Sequence, residues 1–214
     1  MPSDKDSVSQ YISKLYAVQD KGLRTTRDNT PQKGLPAISI QPEEGRFLQV
    51  LVRASGARRA LEIGTLGGYS GIWIARGLVQ GGKLITLEKE QHHAEVAREH
   101  FATAGVLDRV EVRVGDAHRT LQTLSNELPF DFVFIDAEKA GYPSYFDWAL
   151  EHTTVGALIT AHNVLRGGQV ASLNSMDEST KAMHAFNLKV SHEPRVMSTI
   201  YPGGDGIIIA VKLY

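Results

Sequence analysis

Glu62, Glu88, Asp116, Asp136, Lys139, His162 and Asn163 are the polar residues of this chain whose contexts suit chemistry. The most telling context is Ala60-Leu-Glu-Ile-Gly-Thr-Leu-Gly-Gly-Tyr-Ser70. A short apolar run (Ala60, Leu61, Ile63) ends in a glycine-rich turn, and a helix-compatible segment, Tyr69–Leu78, follows at once. A strand, a tight turn and a helix N-terminus bring backbone close to a nucleotide-like ligand. The glycines at 64, 67 and 68 lack the G-x-G-x-x-G spacing of a dinucleotide site. Pyrophosphate wants bare backbone N–H groups, whereas the carboxylate of Glu62 suits a cationic ligand, either directly or through the turn that holds it. The bland alternatives are a buried acid satisfied by backbone and a tight turn without a ligand.

From Arg59 onward, strand-like and helix-like segments alternate. Strands are expected at 59–63, 83–87, 110–114, 131–135, 156–161 and 206–212, with amphipathic stretches such as Ala94–Ala104 and Tyr142–Leu150 between most of them. Alternating βα units predict a parallel sheet with helices on both faces. From about Lys189 to Leu213, strand-like runs flank Tyr201-Pro-Gly-Gly-Asp-Gly206, which reads as a hairpin and hence an antiparallel edge. Ligands of an open parallel sheet sit beyond the carboxyl ends of its strands. Those ends carry Gly64–Ser70, then Glu88, then Gly115-Asp116-Ala117, then Asp136. A carboxylate at 88 can accept both hydroxyls of a ribose, which supports a nucleoside without choosing which one.

Before this core, Val8, Tyr11, Ile12, Leu15 and Tyr16 fall at helical spacing, and Arg24–Pro36, broken by Pro31, Gly34 and Pro36, reads as a loop. Pro42 opens another helix, with Glu43 and Glu44 in its acidic first turn. The 214 residues suit one domain: a helical arm and loop over 1–36 and a ligand-binding core over 37–214. Lys plus Arg is 23 and Asp plus Glu 24, a balance that argues against a general nucleic-acid or membrane-surface binder. There is no cysteine, so neither disulfides nor thiolate chemistry enter. The polar start and the lack of any span-length apolar run make a cytoplasmic, soluble protein the expectation.

Five segments carry a joint pattern along the chain: Pro42-Glu-Glu-Gly-Arg-Phe-Leu48, Glu62-Ile-Gly-Thr-Leu-Gly-Gly-Tyr-Ser70, Phe134-Ile-Asp-Ala-Glu-Lys139, Ala161-His-Asn-Val-Leu165 and Gly204-Asp-Gly-Ile207. Together they resemble the class I S-adenosylmethionine-dependent O-methyltransferases of the cation-dependent catechol and caffeoyl-CoA type, from about Ile38 to the C-terminus. The resemblance implies a Rossmann-like, doubly wound, mostly parallel seven-stranded sheet with an antiparallel edge strand and N-terminal helices. It also implies methyl transfer to a hydroxyl of a small phenolic acceptor, most simply one of a vicinal diol, and a homodimer. S-adenosylmethionine carries a sulfonium and an ammonium and no phosphate, in keeping with Glu62. Its site is expected at Glu62, Gly64, Gly68, Tyr69, Ser70, Glu88, Asp116, Ala117 and Asp136.

The sulfonium methyl is already an electrophile, so the acceptor oxygen must be activated. A phenol titrates near 10, and a divalent cation can lower that value and orient the oxygen. In the resembled family an aspartate after the fourth strand and an Asp-Asn pair after the fifth hold the cation, normally Mg2+. They map onto Asp136, position 162 and Asn163. Lys139 maps onto a base or phenolate stabiliser. Position 162 is His here rather than Asp. Magnesium prefers oxygen, and imidazole suits transition metals. His162 is thus open to several readings: ligand of a transition metal, general base in a metal-free site, a change that weakens the metal site, or a strand-end histidine with a backbone partner. Lys139, Asp136 and His162 are the catalytic candidates, and Asp136, His162 and Asn163 the metal candidates. A protein that binds cofactor without turnover and an NAD-dependent oxidoreductase are the alternative functions. Glu138 stands where the catechol branch carries a tryptophan, and Gly167–Ser179 is a candidate lid. Tyr142, Tyr145, Phe146 and Trp148 read as core with some pocket wall, and His92-His93 as a solvated face.

Overall fold

The computed structural model describes residues 4–127, 129–172 and 177–214. Strands β1 (Arg59–Ile63), β2 (Lys83–Glu88), β3 (Val110–Val114), β4 (Phe130–Ile135) and β5 (Thr153–His162) run parallel. Strands β6 (Val196–Tyr201) and β7 (Ile207–Lys212) form the expected hairpin. The order is β3-β2-β1-β4-β5-β7-β6, with β7 antiparallel to both neighbours and β6 outermost. Chain direction across the sheet reverses between β1 and β4, the switch point where such sheets bind ligands.

Alternation along the strands fills a core on each face. Ala60, Phe132 and Phe134 pack with Leu48 and Val52 of α3 (Pro42–Ser55), Ile72 and Trp73 of α4 (Tyr69–Gly77), and Phe101 of α5 (Gln91–Thr103). Leu61, Val133 and Ile135 pack on the other face with Leu121 of α6 (Ala117–Leu124), Phe146 of α7 (Tyr142–His152) and Phe186 of α8 (Glu178–Ser191). Tyr142, Tyr145 and Phe146 belong to this second core.

The N-terminal region departs from expectation. Helix α1 (Asp4–Tyr16) forms, but Val8, Tyr11, Leu15 and Tyr16 stay exposed. It is tied to α3 by Ser9 and Ser13, whose hydroxyls donate to Glu43. The loop expected over Arg24–Pro36 is instead mostly helix α2 (Lys21–Gln32). Asp20 caps it by accepting from the Leu23 N–H at 3.0 Å. The hydroxyls of Thr26 and Thr30, both buried, bond back to the carbonyls of Gly22 and Thr26. Pro31 lies in the last turn, where its missing N–H removes only one ladder bond. Among the described residues no helix is long and apolar enough to cross a membrane.

Candidate active site

A cavity of about 740 Å³ opens at the carboxyl ends of β1, β2 and β4. Of the cofactor candidates, Gly64, Tyr69, Ser70, Glu88, Asp116, Ala117 and Asp136 line it; Glu62 and Gly68 do not. Lys139 and Asn163 also line it, and His162 does not.

The turn between β1 and α4 is built by packing. Gly64 has a left-handed φ of 102°, and a Cβ there would run into the Asp136 carbonyl. Gly68 caps α4 with a left-handed backbone, close beneath Phe101. Leu66, though not glycine, has φ 47°, and its N–H donates to Glu88 Oε2 at 2.7 Å. The Glu90 N–H donates to Glu88 Oε1 at 3.0 Å. Two backbone donors thus fix the Glu88 carboxylate at the cavity wall, with lone pairs left for hydroxyl donors of a nucleoside. Asp116 caps α6, accepting from the Arg119 N–H at 3.1 Å.

Glu62 lies behind the turn and is fully buried. Ser70 Oγ donates to it at 2.5 Å and Thr86 Oγ1 at 2.7 Å; Thr65 Oγ1 lies 2.5 Å from Thr86 Oγ1. Burial pushes its carboxyl up to about 7, against the pull of those hydroxyls. Glu62 therefore braces the strand, turn and helix against one another and has no direct path to the cavity.

The opposite end of the cavity is cationic. Lys139 Nζ lies 2.5 Å from the Tyr142 hydroxyl, 3.1 Å from Asn163 Oδ1 and 3.5 Å from Asp136 Oδ1. The Tyr142 hydroxyl donates onward to the His162 carbonyl at 3.0 Å. Burial holds the Lys139 ammonium below its usual range, despite Asp136 beside it. Asn163 reaches the cavity from a left-handed backbone, φ 58°, which asparagine tolerates better than most residues. Arg166, also left-handed, lines the same end.

His162 is buried behind this wall. Its Nδ1 lies 3.2 Å from Asp136 Oδ2, and its Nε2 lies 2.8 Å from Glu44 Oε1. Burial works against a charged ring, but hydrogen bonds and charges from Asp136 and Glu44 raise it to about 10. Asp136 responds in kind: burial opposes its ionisation, yet His162 and then Lys139 hold it below the ordinary range. Glu44 also accepts the Gln41 N–H at 2.7 Å. The hairpin turn closes over it, since a Cβ on Gly204 would run into the Glu44 carboxylate.

In this geometry the metal candidates are engaged with other groups. Both ring nitrogens of His162 face carboxylates and are engaged by them, and the ring does not line the cavity. Asp136 and Asn163 do line it, but each shares an oxygen with Lys139. Among the described residues no three His, Cys, Asp or Glu side chains are grouped to hold a metal ion. A single carboxylate flanked by the His162 ring and the Lys139 nitrogen does not fit a divalent ion, which needs several oxygen donors and net negative charge.

The O-methyltransferase family profile matches residues 12–213. The chain belongs to this family. This O-methyltransferase is 42% identical over 197 residues to a catechol O-methyltransferase of Niastella koreensis, covering 91% of the chain and 89% of that protein. It is 38% identical over 214 residues to a catechol O-methyltransferase of Mycobacterium tuberculosis, covering 98% and 96%. Among solved structures it resembles an O-methyltransferase of Bacillus cereus in complex with S-adenosylhomocysteine: TM-score 0.90, 44% identity, 96% and 97% of the two chains. It also resembles one from Streptomyces achromogenes in complex with S-adenosylmethionine: TM-score 0.91, 36% identity, both chains fully covered.

Sequence reasoning missed Glu44, which its position marked only as an acid in a helix's first turn. It also missed His93, whose Nδ1 lies 3.4 Å from Glu88 at the cavity. Glu138, in the tryptophan position, lines the cavity and accepts from the Tyr145 hydroxyl, with His118 stacked on that ring at 4.7 Å. Part of the candidate lid, residues 173–176, lies outside the described residues; Arg166–Ala171 before it forms short 3-10 turns.

Proposed function

We propose that this O-methyltransferase moves the methyl group of S-adenosylmethionine to one hydroxyl of a small catechol-like acceptor. The observation that carries the reading is a single cavity with a nucleoside-type carboxylate, Glu88, and a buried lysine, Lys139, both in its wall. S-adenosylmethionine supplies an electrophilic methyl on a sulfonium. Glu88 would hold its ribose hydroxyls, Asp116 and Ala117 its adenine, and the backbone of Gly64–Ser70 its amino-acid end. Glu62 would act on that end only through the turn it braces.

The protein's own chemistry is at the acceptor. Burial, which holds the Lys139 ammonium below its usual range, favours the neutral amine, and that amine takes the proton of the attacking hydroxyl at Nζ. Asn163 and the Tyr142 hydroxyl orient that nitrogen. Asp136 anchors Lys139 on one side and His162 on the other.

The test has two parts. Calorimetry should show S-adenosylmethionine and S-adenosylhomocysteine binding and no heat with NAD. Incubation with a panel of catechols should give an acceptor heavier by one methylene and S-adenosylhomocysteine in equal amount. Tight NAD binding without binding of either sulfur compound would overturn the proposal.

A further inference from the structure

We propose that this enzyme transfers methyl groups without a divalent cation, and that Glu44 is the positioning residue that makes this possible. The inference deepens the proposed function and rests on it. Glu44 accepts from one ring nitrogen of His162 at 2.8 Å, which turns the other onto Asp136 at 3.2 Å. The ring thereby occupies the carboxylate oxygen that a metal would use. The arrangement is locked from three sides. Glu44 is held by the Gln41 N–H, covered by the turn at Gly204, and 3% exposed. His162 is 5% exposed, and its carbonyl is held by Tyr142. Neither the Glu44 carboxylate nor the His162 ring lines the cavity, and both ring nitrogens are already engaged by carboxylates.

What remains for a cation is one Asp136 oxygen and the Asn163 amide oxygen, both at Lys139 Nζ and with Arg166 in the same wall. The methyl transfer balances with these groups alone. The acceptor oxygen forms a bond to the methyl carbon, the carbon–sulfur bond breaks, sulfur keeps the electron pair, and the acceptor proton passes to the neutral amine of Lys139, which becomes the ammonium.

The test uses the whole enzyme with S-adenosylmethionine and catechol, assayed in a chelator and in added Mg2+ or Mn2+. In parallel, Mn2+ binding is measured by calorimetry in the presence of S-adenosylhomocysteine and catechol. The wild-type rate should change by less than about twofold across these conditions, and no Mn2+ should bind below about 1 mM. The double variant E44Q/H162D restores an oxygen donor beside Asp136, keeps an acceptor for the Gln41 N–H, and avoids setting the buried Glu44 carboxylate against the new one. It should bind Mn2+, and any turnover it retains should drop about tenfold or more in chelator. The proposal is overturned by a wild-type rate that collapses in chelator and returns with Mg2+, or by wild-type Mn2+ binding that Asp136→Asn abolishes. A folded double variant that binds no Mn2+ overturns the role given to Glu44 and His162. If catechol is not turned over, the wild-type Mn2+ titration decides alone, and the heat of S-adenosylhomocysteine binding shows separately whether the cofactor reading stands.

Discussion

Glu62 and Asp136 lie at the carboxyl ends of neighbouring strands, β1 and just past β4, and burial penalises the charge of both. They end in opposite states. Glu62 has only the hydroxyls of Ser70 and Thr86 for company and is pushed up to about 7. Asp136 sits between the His162 ring and the Lys139 ammonium and is held below its usual range. The partners, not the depth, decide the charge. A carboxyl satisfied by hydroxyls serves as a brace, and one flanked by cations organises chemistry. The same contrast separates the two ends of the cavity: backbone donors and carboxylates toward the turn, nitrogen cations toward Asn163.

The largest effect is expected at Asp136. Asp136→Asn removes the charge that anchors both cations, so turnover should fall by about 100-fold or more, on the scale of lost acid–base catalysis. Steady-state assay with a circular dichroism control checks this. A folded variant with near wild-type turnover would erase the distinction drawn between the two acids.

Next comes Glu62. A carboxyl whose folded-state value is raised binds more protons folded than unfolded. Stability then falls as pH rises from the ordinary value of 4.5 through about 7. Over that window the loss is about 3 kcal/mol, taken from the difference between the two values. Glu62→Gln keeps acceptor and shape and should remove most of this fall. Urea unfolding of both proteins at several pH values between 4 and 8.5 measures it, and parallel curves would mean that Glu62 is already ionised in the fold.

The smallest of the three concerns the cavity wall. Glu88→Ala should weaken S-adenosylmethionine binding by about 1–3 kcal/mol, the range for hydrogen bonds to a charged group. Calorimetry reads it directly. An unchanged dissociation constant would remove Glu88 from the nucleoside end.

Much of this was legible in sequence because strand ends are local signals. An apolar run followed by glycine places β1 and its turn, and a parallel sheet then gathers Glu88, Asp116 and Asp136 along one edge. The glycine at 204 stands out in the hairpin stretch, and the Glu44 carboxylate is packed against it. What stayed hidden depended on distant partners. Helix α2 buries threonines whose hydroxyls are satisfied by carbonyls one turn back, and composition alone reads such a polar, proline-containing stretch as loop. Glu44 and His162 are 118 residues apart, so nothing near either one announces the pairing. Glu62 was legible as unusual, but whether it faces the ligand or the turn depended on Ser70 and Thr86.

The central claim is a division of labour: one end of the cavity binds the cofactor, and Lys139 at the other takes the acceptor's proton. Its most direct test is Lys139→Met, which keeps the side chain's bulk and removes the nitrogen. Cofactor affinity by calorimetry and the single-turnover rate of methyl transfer are measured on the same preparation. The account predicts a dissociation constant within about twofold of wild type and a rate lower by about 100-fold or more. A rate near wild type, or a loss of affinity as large as the loss of rate, would contradict it.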